Sequence, residues 1–136
     1  MQHAADQPMT ELETATLEGE PLAWAVGMAL GLDLELAPPV YGNQWRVFAK
    51  YFFTATERTV RYNPHEDWAL GGPVSEAEVL FTGPAAWDAE GVCVLRRAQP
   101  AGSDVCFVHA NQLVASMRAV VYARLGETVL VPKELC

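Results

Sequence analysis

Apolar residues at Leu22, Ala25, Val26, Ala29 and Leu30 recur at the i, i+3, i+4, i+7, i+8 spacing of one helical face. The stretch "TLEGEPLAWAVGMALG" therefore predicts a first helix. Pro21 suits its first turn, Glu18 and Glu20 suit the positive end of its dipole, and Gly31 is a suitable stop. Trp24 and Met28, four apart beside the stripe, read as the border of the core. The same period returns in "NQLVASMRAVVYARLG", where Leu113, Val114, Met117, Val120, Val121 and Leu125 share a face. Asn111 can cap that helix and Gly126 can close it. Arg118 and Arg124 fall off the stripe, and Arg124 complements the negative helix end.

Between the two helices the pattern shortens to a period of two. "LDLELAPP" alternates apolar and acidic residues and predicts a short extended piece. "QWRVFAKYF" fits either a strand or a short helix, and "ERTVRY" leads into residues 62–73, which proline and glycine mark as loop. "VSEAEVLFT" fits one turn of helix or an edge strand. "AAWDAE" and "GVCVLRRA" are strand material broken by Gly91, "SDVCFVHA" is a further strand, and "ETVLVP" is a short extended tail. The predicted fold is α+β: a small antiparallel sheet of three or four strands with the N-terminal and C-terminal helices packed on one face.

The 136 residues, 51% hydrophobic and 19% charged, fit one globular domain. We assign it to residues 16–136, with 1–15 as a mobile acidic leader in which Met9 is an alternative start. The longest apolar stretch, from Pro21 to Leu32, is shorter than the roughly 18 residues of a membrane span, and no membrane association is expected. The first 20 residues hold no Lys or Arg, so they lack the charged start of a secretory signal. The net charge of −8 is uneven: residues 1–40 carry seven acids and no Lys or Arg, whereas residues 41–136 carry ten acids and nine bases. Only the pairs Arg58/Arg61 and Arg96/Arg97 come near the clustered cations that a phosphate backbone requires, so direct nucleic-acid binding is not expected. The acidic front could meet a basic partner surface, but a solvated acidic arm is the plainer reading.

Three cysteines, Cys93, Cys106 and Cys136, show no C-x-x-C spacing. A hairpin centred on "AQPAG" would set Cys93 and Cys106 nearly opposite each other; both are expected to be reduced, acting as small hydrophobes. His3, His65 and His109 contain no i, i+4 pair, so no metal and no cofactor is expected. His109 reads as a capping or structural residue. The dense stretch is "DWALGGPV", residues 67–74, preceded by His65 and Glu66. A small enzyme would use Asp67, Glu66 or His65 as acid or base beneath the Gly71-Gly72 turn. Adjacent loop residues rarely converge on one atom, and no Lys follows the glycines to complete a phosphate cradle. The structural alternative is a turn in which Trp68 buries its indole, a glycine takes positive φ, and Pro73 starts the next element.

"YNPHEDWALGGPVSE", a later Trp, and "LVASMRAVVYARLGETVLVP" together resemble an uncharacterised phage and prophage family that includes the phage NinX-like proteins. Its members show Tyr, a nearby Pro, Asp-Trp-x-x-Gly-Gly-Pro and an acid, then a C-terminal helix with an Ala-x-Met-Arg core that "ASMRAV" matches through Arg118. Leu17, Gly19, Leu22, Trp24, Ala25 and Val26 match its opening helix, so the likeness spans residues 16–131. The "AQPAGSDVCFVHANQ" segment departs from it, and His65 is not part of the motif. The resemblance brings no activity with it. It implies a small accessory protein of the bacterial host cytoplasm, for which contact with a host or phage macromolecule is the expectation by analogy. The acidic front and the aromatic loop point to a non-enzymatic module that binds a protein partner; the alternative is a small enzyme or ligand-binding protein using the 62–76 loop. The candidate binding loop is Tyr62, Asp67, Trp68, Gly71, Gly72 and Pro73, with Arg118. Four tryptophans and an edge strand also fit a homodimer.

Overall fold

A computed structural model describes residues 2–3, 8–53 and 56–136. In chain order these form β1 (Gln2–His3), β2 (Met9–Glu13), a short 3-10 turn, α1 (Gly19–Ala29), β3 (Asp33–Ala37), β4 (Arg46–Phe53) and β5 (Thr56–Arg61). Then come α2 (Trp68–Glu78), β6 (Leu80–Trp87), β7 (Cys93–Pro100), β8 (Phe107–His109), α3 (Gln112–Leu125), β9 (Thr128–Pro132) and a closing 3-10 turn.

Mixed α and β structure is as expected, but the strands make three antiparallel sheets instead of one. The first has the order β1-β3-β4-β5, the second pairs β2 with β9, and the third runs β6-β7-β8. "QWRVFAKYF" is strand, and "ERTVRY" pairs with it, Phe48 opposite Arg61 and Ala49 opposite Val60. Met9–Glu13, which the sequence suggests is the end of a leader, pairs with Thr128–Pro132 along its whole length. Residues 1 and 4–7 of that leader lie outside the described residues, as does the side chain of His3.

The two helices do not share one sheet face. α1 lies on β3 and β4, α3 lies on β6, β7 and β8, and the helices pack on each other between those sheets. From Leu113 to Val121 every residue of α3 is buried, as befits a helix enclosed on all sides. Leu22, Trp24, Val26, Leu34, Leu36, Val47, Met117, Val120 and Val131 fill the main core. Trp24 is thus fully buried, not a border residue, whereas Met28 on the same helix is exposed.

The helix ends follow local chemistry. Asn111 accepts from the amides of Leu113 and Val114, and Gly31 and Gly126 adopt positive φ just beyond α1 and α3. Glu20 in the first turn of α1 serves another purpose: its carboxylate accepts from the Val47 amide and pairs with Arg61 at 2.5 Å, tying α1 to β4 and β5.

The hairpin that joins β7 to β8 sets Ala98 opposite Phe107 and Arg96 opposite His109. Its centre is therefore past "AQPAG", and Cys93 and Cys106 do not face each other. All three thiols are free; Cys106 is exposed and Cys93 only partly buried, so neither packs as a small core hydrophobe, and Cys136 is exposed too.

Candidate functional site

The segment 62–73 is not a loop throughout: helix α2 begins at Trp68 and contains both glycines and Pro73. Asp67 precedes it as the cap, its carboxylate accepting from the Ala69 amide at 2.9 Å. A turn leads in, with the amides of Glu66 and Asp67 both donating to the Asn63 carbonyl. Pro73 therefore starts no element. Lacking an N–H, it leaves the carbonyl of exposed Ala69 without its helical donor, at a place solvent reaches.

Neither Gly71 nor Gly72 has positive φ; the αL position near this helix belongs to Val79, at its end. Gly71 is required for contact. A Cβ there would stand 2.2 Å from the Pro64 carbonyl oxygen and 2.8 Å from a Leu113 methyl, so α2 rests directly on the preceding turn and on α3. Gly72 faces the other way, and the nearest atom to a Cβ there would be Cε3 of Trp68, at 3.9 Å.

The indole itself is the main correction. Trp68 is 60% exposed, lying along the outside of α2 beside Gly72, and does not pin the turn. Glu66, Asp67 and Ala69 around it are exposed too. Tyr62 and His65 do the pinning: they are 2% and 6% exposed. Tyr62 donates its amide to the Val47 carbonyl, and burial drives its phenol far above the ordinary tyrosine range, with Tyr51 adding to the effect. Burial pulls the His65 imidazole below its ordinary range, while Glu66 and Glu20 oppose the shift and Arg61 reinforces it.

The acid/base run therefore disperses. His65 points inward, Glu66 accepts from the Asn63 side chain at 2.9 Å, and Asp67 is committed to its cap. The described residues contain no group of three His, Cys, Asp or Glu side chains that could hold a metal. Residues 62–76 line neither the cavity beside Phe107 and Tyr122 nor the one beside Trp45 and Leu135.

Arg118 stands apart from this surface. It is 6% exposed, not off the buried stripe as its polarity suggests, and its Nε donates to the Leu17 carbonyl at 2.7 Å. Its Nη2 donates to Glu18 Oε1 at 3.3 Å, and the same oxygen lies 2.9 Å from His109 Nε2. His109 Nδ1 accepts from the Asn111 amide, so the proton of the neutral ring lies on Nε2 and is given to Glu18. This knot joins the start of α1, the end of β8 and the middle of α3. Burial lowers the basicity of the Arg118 guanidinium and Glu18 opposes that shift. Glu18 and His109 are 91 positions apart in sequence, so nothing local announces their meeting.

The family model described as Bacteriophage P22, NinX matches residues 13–124. The chain belongs to the NinX family. The match includes α1, the Asp-Trp-x-x-Gly-Gly-Pro segment and nearly all of α3, so the motif residues of this NinX-family chain have distinct positions in one fold. Gly71 seats α2, Arg118 locks α3 to α1, and Trp68 is presented outward. No curated protein matches the chain. No helix among the described residues is long and apolar enough to cross a membrane.

Proposed function

We propose that this NinX-family chain is a phage- or prophage-encoded accessory protein of the bacterial host cytoplasm that works as a non-enzymatic binding module. Its contact with a protein partner is made through the outer surface of α2, centred on Trp68. The exposure of that indole carries the proposal. A large aromatic side chain on a helix whose seat is fixed by the Gly71 contact is a pre-organised anchor, and ordering it again on binding costs little. Burying what is now exposed of Trp68 would contribute roughly 2–4 kcal/mol, the size of an interface hot spot. Exposed Glu66 and Asp67 beside it supply a polar, acidic rim.

The test is capture from a bacterial lysate with the wild-type chain and with Trp68→Ala. A partner held by the wild type and lost by a variant of unchanged circular dichroism supports the proposal. Equal capture by both, or capture by neither, overturns it.

A further inference from the structure

A concavity of about 330 Å³ opens on another part of the molecule, at the end of the β2–β9 ladder. Its size is at the lower end of small-ligand pockets. One wall is aromatic: half-buried Tyr122 is backed by the buried ring of Phe107 at 5.4 Å between centroids, tilted by 55°, with Val105 beside them. The 3-10 turn after β2 contributes Thr14 and Ala15 to the lining. Thr14 fastens it there, donating its amide to the Glu127 carbonyl at 2.8 Å and its hydroxyl to the Gly126 carbonyl at 2.7 Å. That fastening brings Glu13, paired with Thr128 in the ladder, and Glu127 to the same rim. Both glutamates are exposed, neither carboxylate has an ion-pair or hydrogen-bond partner among the described residues, and no Lys or Arg lines the cavity.

Those features select a class of ligand. An aromatic wall welcomes an aliphatic or planar body and attracts a cation to its ring faces, while two uncompensated carboxylates repel anions and favour a positive head group. A neutral apolar ligand would gain nothing from the two carboxylates. We infer that this cavity is a binding site for an organic cation, a guanidinium or alkylammonium group on a short carbon stem. The same chemistry comes from a free amine or from an arginine side chain of a basic protein. The site gives Glu13, one of the seven acids of the first 40 residues, a recognition role. It shares no residue with the Trp68 surface, so the two can fail separately.

Titration of the 15N-labelled chain, followed by amide NMR, tests the inference with three probes: agmatine, N-acetyl-arginine amide and its neutral isostere N-acetyl-citrulline amide. Expected are saturable shifts at the amides of Thr14, Ala15, Val105 and Thr128 with both cations and none with the citrulline compound. The double variant Glu13→Gln/Glu127→Gln changes only exposed side chains and should weaken both cations roughly tenfold. Tyr122→Leu, at a half-buried position, should weaken them while leaving the remaining spectrum in place. Tighter binding of agmatine identifies a free amine as the ligand, and tighter binding of the arginine amide identifies a protein side chain. Equal shifts from the citrulline compound, shifts away from the cavity, or undiminished binding by the double glutamine variant would overturn the inference.

Discussion

The adjacent glycines of α2 offer a sharp test of how this helix is seated, because alanine should be costly at one position and close to neutral at the other. In a helix interior alanine is favoured over glycine by roughly 0.8–1 kcal/mol, and neither residue needs positive φ, so both substitutions begin with the same gain. At Gly72 the nearest non-adjacent atom to a new methyl is 3.9 Å away, but Pro73 follows in the same helix, and its Cδ crowds a Cβ on the preceding residue in the helical region, which offsets the gain. At Gly71 the methyl would lie 2.2 Å from the Pro64 carbonyl oxygen, a main-chain atom in a turn that cannot rotate aside. Overpacking of that kind costs about 1–3 kcal/mol, and an obstructing main-chain atom puts this site toward the upper end. The net expectation is a loss of about 1–2 kcal/mol for Gly71→Ala and about no change for Gly72→Ala. In a chain of 136 residues each kcal/mol moves the melting temperature by about 3–4 °C. Thermal unfolding followed at 222 nm should therefore separate the variants by roughly 3–8 °C, with Gly72→Ala close to wild type. Equal shifts in the same direction would refute the direct seating of α2 on the 63–65 turn.

Other outcomes follow from the same contacts. Arg118→Ala strands the Leu17 carbonyl and removes a buried stem, so denaturant unfolding should show a loss of about 2–4 kcal/mol, and Arg118→Lys should not restore it because the Nε and Nη2 donors form a fixed fork. Asp67→Ala should cost about 1 kcal/mol by removing the α2 cap, while Asp67→Asn keeps an acceptor and should lose little. His65, its folded-state pKa lowered by burial, is neutral in the native protein and takes up a proton more readily when unfolded. Its contribution to stability is complete above about pH 6.5 and is lost as the pH falls from there toward the lowered native value. His65→Gln should accordingly flatten the fall in unfolding free energy between about pH 6.5 and 5, and an unchanged slope would contradict the assignment.

Helix α1, helix α3 and their ends were legible because each has a continuous apolar period and a strong terminal signal, Asn111 and Gly126 above all. Helix α2 was not. Two glycines and a proline have poor helix propensity, so the sequence reads as a turn; the Asp67 cap and the packing of Gly71 on Pro64 and Leu113 override propensity. Trp68 was misplaced for a related reason: size and apolarity suggest burial, and only the orientation of α2 sends the indole outward. Arg118 was misplaced in the opposite sense, since a guanidinium reads as surface until the Leu17 carbonyl and Glu18 are brought to it from the start of α1. The division into three sheets was hidden because strand pairing joins distant segments, such as Met9–Glu13 with Thr128–Pro132, that share no local signal. Of the candidate binding residues, Asp67 and Trp68 are on the exposed surface of α2, whereas Tyr62, Gly71 and Arg118 are buried and hold the fold.

The central claim, that Trp68 is a protein contact, is tested most directly by replacing it with a photo-crosslinking phenylalanine derivative in cells that carry the parent phage or prophage. A matched replacement at Leu130, an exposed position on β9, serves as the control. A discrete cross-linked protein from position 68, absent from position 130, is the expected result. No adduct from position 68, or the same adducts from both positions, would contradict it.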